Sequence, residues 1–489
     1  MPDAAPLRSG PLIATLAFSG IVVSLTSTLI VPLIGELPAL FGTGASTAAW
    51  AVTATLLAGA VATPLTGRLG DLYGKRKVML IALIPLILGS AVTALAGGIG
   101  WMIAGRALQG LATGVVPLGI SMLRDTLPPE RIGSAIALMS SSMGIGAAVG
   151  LPVAAAVAQY TDWRILFWVI AAVGLACIGL ILWAVPPVPP MARGRFDAVG
   201  TIGLSIVLAA LLLAVSKGAE WGWASPITLG LFVIAAVVAV AWGAWELRRA
   251  DPLVDLRVAA RGQVLLTNLA SVLIGAAMYA QSLIIPQLMQ LPAATGYGHG
   301  QSMLQMGLWM APSGIAMMAV STIGARLSQA RGPKVTLIVG CAIMAVGYGG
   351  STLLTGSLWG LLATTMVASA GVGFAYGAMP ALVMGAVPRS ETGSANSVNS
   401  LMRSIGTSVS AAVVGVVLAT MSVDAGGGHA IPTLDGFRVG LLIGCGVALG
   451  AGAIALAIPY RHVPGSVIGH GGGGSHGGGG ASESEAARA

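Results

Sequence analysis

Charge is what this chain has least of. Asp, Glu, Lys and Arg make up 8% of its 489 residues, against about 25% in an ordinary soluble domain. So few charged side chains cannot cover a water-facing surface of this size, which excludes a soluble globular class. Acids are rarer than bases, 16 against 24, and each falls in a loop, a tail or a helix end. Cysteine is scarce as well. Cys177, Cys341 and Cys445 lie singly in apolar runs, a pattern that fits neither a disulfide framework nor metal-ligand spacing. No nucleophile–base constellation, phosphate loop or metal cluster stands out, so the chain reads as a non-enzyme with no cofactor and no metal. In place of charge stand 56% hydrophobic residues, enough to make lipid the solvent for much of the surface.

A helix needs about 20 apolar residues to cross a bilayer. By that ruler the spans fall near 12–34, 47–66, 78–97, 101–123, 132–157, 164–184, 197–216, 225–245, 263–290, 302–324, 334–354, 357–381, 394–421 and 437–459. The runs are continuously apolar rather than alternating, so they read as helices and not barrel strands. The first run is too long for the apolar core of a signal peptide and lacks a small-residue cleavage site, so it is expected to remain a span. The fold class is an all-α integral membrane protein with 14 transmembrane helices.

Net charge is +8, and its distribution gives the reason. With a cytoplasmic N-terminus, only Arg164, Lys217 and Arg438 fall on the outer side, while Arg106 and Arg403 lie inside spans. All other Lys and Arg gather in the inner segments, as they do in membrane proteins generally. The excess is a topology signal, not a nucleic-acid patch. Both termini are expected in the cytoplasm and residues 67–77 in an inner loop.

Short matches recur along the chain at a nearly constant offset. Arg68-Leu69 and Gly74 correspond to Arg326-Leu327 and Gly332, Gly133-Ser134-Ala135 to Gly393-Ser394-Ala395, and Gly146 to Gly406. This reads as an internal duplication. Residues 1–184 and 262–459 become two six-helix bundles, residues 185–261 two inserted helices with linkers, and residues 460–489 a disordered Gly-rich tail. His470 and His476 in that tail are too few for a metal site.

Two in-span arginines are the first candidate site residues, because charge inside a span costs about 2.5–3.5 kcal/mol on insertion scales. Arg106 shares a small, polar stripe with Gln109 and Gly110. Arg403 lies near mid-depth, with Asn399 four residues before it on the same face. Each has a plain alternative: Arg106 snorkelling to the interface, Arg403 bonded to a broken helix. Asn268, Tyr279 and Gln281 in helix nine and Gln305 and Trp309 in helix ten are candidate cavity walls, though such residues are more often helix–helix glue. Glu36 is the one acid placed to pair with Arg106 and release it on protonation; alternatively it is an exposed loop glutamate.

The stretch "GRLGDLYGKRK" at 67–77 resembles the loop-2–3 signature of the major facilitator superfamily. "RALQG" at 106–110 is similar to its fourth-helix arginine motif, "DWRILFW" at 162–168 to the opening of helix six, and "NSLMRSIG" at 399–406 to a late-helix pattern of the fourteen-helix drug/proton antiporter branch. The resemblance covers about residues 12–459. It implies that Gly67, Arg68, Gly70, Asp71, Gly74, Lys75 and Arg76 form a conformational latch. Asp71 would face the N-terminal end of the helix beginning near Ser394, with Arg68 holding it in place. Two departures stand out. Gly146, Gly150 and Pro152 occupy the place of the helix-five packing motif, but its Gly-Pro-x-x-Gly-Gly lettering has become Leu151-Pro152-Val153-Ala154-Ala155-Ala156. Many branch members carry an acid midway along helix one, where this chain has Val23.

The resemblance implies a secondary active transporter of the cell membrane. It would export amphipathic organic compounds such as drugs or antibiotics, by proton antiport and rocking of the two halves. Its partners would be a small-molecule substrate, protons and the lipid bilayer. A proton-coupled or facilitative importer of a metabolite, and a non-transporting sensor or scaffold, are the alternatives.

Overall fold

The computed structural model describes residues 9–34, 36–190, 192, 194–424 and 430–460. Arg8, Arg193, Arg461, Arg488 and the Gly-rich tail from 461 onward lie outside the described residues. Among the described residues, fourteen helices are long and apolar enough to cross a membrane. They are α1 (Ser9–Leu33), α2 (Ser46–Tyr73), α3 (Lys75–Ala94), α4 (Ile99–Thr126), α5 (Glu130–Tyr160), α6 (Arg164–Ala184), α7 (Ala198–Trp221), α8 (Pro226–Arg248), α9 (Gly262–Gln290), α10 (Met303–Arg331), α11 (Pro333–Leu353), α12 (Leu358–Gly385), α13 (Arg389–Thr420) and α14 (Leu434–Ala457). A two-stranded ribbon, β1 (Ser422–Asp424) paired antiparallel with β2 (Ala430–Pro432), joins α13 to α14.

Helix neighbours repeat between the two halves. α1 packs on α5 as α9 packs on α13; α2 on α4 as α10 on α12; α3 on α6 as α11 on α14. Each half has its own apolar core, one around Leu16, Met79 and Phe167, the other around Ile284, Tyr348 and Phe437. Between the halves run two seams, α5 against α10 and α2 against α13. The inserted pair, α7 and α8, packs on itself, and α7 leans on α2 and α13.

The matched positions do matching work. Gly74 and Gly332 end α2 and α10 at φ of 97° and 89°, a backbone that residues with a Cβ avoid. Each closes its helix by donating its N–H to the carbonyl four residues back, Gly70 and Ser328. Gly146 lets α5 approach α1, where a Cβ would stand 2.8 Å from the Ile21 carbonyl; Gly406 does the same for α13 against the Val272 carbonyl of α9.

One expectation is corrected. Residues 67–73 are not a loop but the last turns of α2, and the turn itself is confined to Gly74. Gly67 and Gly70 therefore serve close packing rather than bending. A Cβ on Gly67 would meet the Gly393 carbonyl at 2.7 Å, and one on Gly70 would strike Leu118.

Candidate functional site

Asp71 sits in the last turn of α2, 1% exposed. Its Oδ1 accepts from the Gly393 N–H at 3.1 Å and its Oδ2 from the Ser394 N–H at 2.8 Å. These are free N–H groups of the first turn of α13, where partial positive charge collects. A hydrogen bond to a charged group contributes about 1.5–3 kcal/mol, so this carboxylate is a substantial clasp between the halves. Gly393 makes room: a Cβ there would lie 2.6 Å from Asp71 Oδ1.

The partner that holds Asp71 is Lys75, not Arg68. Lys75 Nζ is 3.5 Å from Asp71 Oδ1, forms a buried ion pair with Asp125, and donates to Thr392 Oγ1 at 2.8 Å. Ser121 bonds the same threonine at 2.7 Å. Arg68 instead lines a cavity of about 320 Å³ with Asp251, Asp255, Glu391 and Ser394. Arg76 caps α6 by donating to the Leu182 carbonyl at 2.7 Å. A second crossing joins α13 to α4, where Asn396 Nδ2 donates to the Pro117 carbonyl at 2.9 Å.

The other seam repeats this arrangement without the charge. Gln329 of α10 donates to the Glu130 carbonyl at the start of α5 at 3.4 Å, beside Gly133. Deeper in the seam a Cβ on Gly314 would meet the Gly144 carbonyl at 2.5 Å, and one on Gly307 would meet Pro152 at 3.0 Å. Gly146 and Gly150 face α1 on the opposite side of α5, against Ser24 and Thr28. The altered lettering of the helix-five motif thus keeps a helix slim on two faces.

Arg106 is 1% exposed. Its guanidinium donates to the carbonyls of Thr26 at 2.8 Å and Ala51 at 3.2 Å and to Gln109 Oε1 at 2.6 Å, and Gln109 in turn donates to Ser90. It ties α4 to α1 and α2. Glu36 is exposed at the far end of α1 and forms no ion pair with it; the structure does not bring the two together. Val23 is packed in the core of the first half.

Arg403 heads a second polar network, 7% exposed. It donates to Asn399 Oδ1 at 2.8 Å and Ser400 Oγ at 3.1 Å. Its guanidinium lies 4.8 Å over the Tyr376 ring of α12, a favourable cation–π geometry. Asn399 Nδ2 donates to Asn268 Oδ1 at 2.9 Å and Ser271 Oγ at 2.7 Å. Helices α9, α12 and α13 thus converge on one arginine.

The remaining candidates scatter. Gln281 reaches Thr365 at 3.3 Å as glue between α9 and α12. Tyr279 is half-buried on α9. Gln305 forms a capping box with Ser302 at the start of α10. Trp309 bonds Gln301 and stacks edge-on against Trp359 at 4.9 Å. Sequence reading missed Asp125, Thr392 and Tyr376, and placed Asn396 on the face of Arg403, whereas it bonds across to Pro117. Asp125 carried one signal: it is an acid at a helix end beside Arg124 in a chain with few acids.

Two bundles with repeated packing, a buried charged clasp between them and a polar arginine network inside one define a two-bundle integral membrane protein. The model of the Major Facilitator Superfamily matches residues 16–411, and the chain belongs to that family. It is 29% identical over 389 residues to the tetracenomycin C resistance and export protein of Streptomyces glaucescens, covering 76% of this chain and 69% of that one. With the multidrug transporter protein MdtP of Bacillus subtilis it shares 25% identity over 429 residues, 87% and 77% of the two chains. Against other curated relatives it spans about half of their length, 57% and 50% in two cases. Among solved structures, the human organic anion transporter MFSD10 has the same fold, with a TM-score of 0.65, 16% identity and coverage of 92% and 100%.

Proposed function

We propose that this chain is a secondary active exporter of amphipathic organic compounds, drugs or antibiotics among them, working by proton antiport and alternating access. The observation that carries the reading is the Asp71 clasp. It joins α2 to the N-terminus of α13 across the halves by groups that can part and rejoin without leaving a polar atom in hydrocarbon, because both sit at helix ends near water. Export is supported by the names of two relatives, a multidrug transporter and an antibiotic export protein.

In this reading the basic face is cytoplasmic, both termini lie there, and the membrane is the cell membrane. The rigid bodies are residues 1–184 and 262–459, with 185–261 inserted between them. Asp71, Lys75 and Gly67 latch the cytoplasmic side. Arg403, held by Asn399 and Ser400, is the charged group that meets substrate. Arg106, bonded on three sides, positions α1, α2 and α4. Val23 leaves α1 without its usual acid, so the proton travels with a carboxyl elsewhere.

The test is counterflow in liposomes with a panel of dyes and antibiotics, repeated under an imposed pH gradient. Substrate-driven exchange, with accumulation on the side opposite the proton flow, is expected. Accumulation along the proton flow would make the chain an importer. Failure to exchange any compound would reduce it to a sensor or scaffold.

A further inference from the structure

A second acidic centre lies outside the clasp, at the base of the inserted helix pair. Asp197 precedes α7 and is 4% exposed; Glu246 lies in the last turn of α8 and is 1% exposed. Asp197 Oδ1 accepts from the Gly200 N–H at 2.9 Å and Oδ2 from the Trp245 indole at 3.0 Å. Glu246 Oε2 accepts from the Val254 N–H at 3.3 Å, while its Oε1 and the nearby Trp242 indole N–H are each left without a hydrogen bond. Both carboxylates converge on Gly200. A Cβ there would stand 2.6 Å from Asp197 Oδ2 and closer still to Glu246 Oε1. The two acids face each other across the bare edge of a glycine.

Among the described residues no cation neutralises them. Neither carboxylate has an ion pair. The Arg249 guanidinium sits 4.5 Å over the Trp245 ring, and that of Arg257 is bound to the Leu247 carbonyl. From α2 and α13, Leu57, Ala60, Val398 and Leu401 pack in the apolar cluster that holds α7. Asp251 and Asp255, in the following loop, are engaged with the Arg195 and Arg257 backbone N–H groups. Two buried carboxylates converging on one glycine, with no cation beside them, make a double negative charge there costly.

The pair is wired to the clasp. Beside Val254, the Leu253 carbonyl accepts from Ser394 Oγ at 3.3 Å, and Ser394 is the residue whose N–H holds Asp71. On the linker leading to Asp197, the Ala192 N–H donates to the Asp71 carbonyl at 3.2 Å. Both linkers of the inserted helices therefore touch the latch.

We propose that Asp197 and Glu246 form a one-proton site, with Glu246 Oε1–H donating to Asp197 Oδ2, whose occupancy sets how firmly the inserted helices hold the latch. Loss of that proton puts two negative charges face to face, spreads the base of α7 and α8 and pulls Leu253 from Ser394. The latch half of this proposal rests on the reading of Asp71 given above; the held proton does not.

Infrared difference spectra of the purified full chain, in H2O and D2O, read the proton directly and need no transport. A protonated-carboxyl band at neutral pH is expected, lost in Glu246→Gln and equally in Asp197→Asn, because the proton is shared. A band that survives either change, or no difference from wild type, would overturn the site. Asn keeps the α7 cap, and helical circular dichroism confirms folding. Ser397 of α13 is buried against Gly67 in the closed latch, so thiol labelling of Ser397→Cys from the basic face should rise at least threefold as pH is raised. That rise should vanish when Glu246→Gln is added; a persistent rise would sever the pair from the latch while leaving the infrared result standing.

Discussion

At the scale of single residues, the clasp depends on a carboxylate rather than on any polar group. Asp71 presents two acceptors to two N–H groups, whereas an amide would turn an NH2 donor toward one of them. Asp71→Asn should lower the initial transport rate by tenfold or more in proteoliposomes, and thiol labelling of Ser397→Cys from the basic face should increase. Cys177 and Cys341 are buried, and the half-buried Cys445 is changed to Ser to remove its background. An unchanged rate and unchanged labelling would remove Asp71 from the gate. Arg106 makes the opposite kind of prediction. Arg106→Ala strands the Thr26 and Ala51 carbonyls and Gln109 in a dry interior, at a cost of about 3–5 kcal/mol. A thermal unfolding midpoint in detergent should drop sharply, and Arg106→Lys should restore little, because an ammonium cannot match the planar reach of the guanidinium.

At the scale of elements, close helix crossings decide whether the halves can assemble. Gly146 against α1 and Gly406 against α9 each leave no space for a side chain. Gly146→Leu or Gly406→Leu should push the helices apart and abolish recovery of monodisperse protein on size exclusion. Gly415, with nothing within 4 Å of a built Cβ, should tolerate the same change. These glycines were legible in the sequence because they recur at the duplication offset. Gly67 and Gly70 were legible as important but misread as turn residues. A glycine inside a helix and one in a turn look alike in sequence, and only the neighbour across the seam separates them.

At the scale of the whole molecule, the two seams differ in charge at one matched position. Asp71 clasps α13, and Gln329 occupies the matching place against α5. Gln329→Asp should place a second carboxylate at a helix N-terminus, stabilising the state closed on the basic face by about 0.3–1 kcal/mol, less the repulsion of Glu130 in the same turn. Turnover should slow by up to about fivefold with Asp71 intact. Faster turnover would show that the seam at α5 does not limit opening.

The sequence by itself determined the solvent, the span count, the duplication and the places where charge is tolerated. All of these follow from composition and from runs long enough to cross a bilayer, which are properties of local stretches. Only the tertiary structure decided which charges meet. Lys75 displaced Arg68 as the partner of Asp71, Glu36 and Arg106 stayed apart, and Asp197 met Glu246 across Gly200. Pairings between residues distant in the chain depend on helix rotation and seam contacts, and a period of 3.6 residues does not encode them until the bundles close.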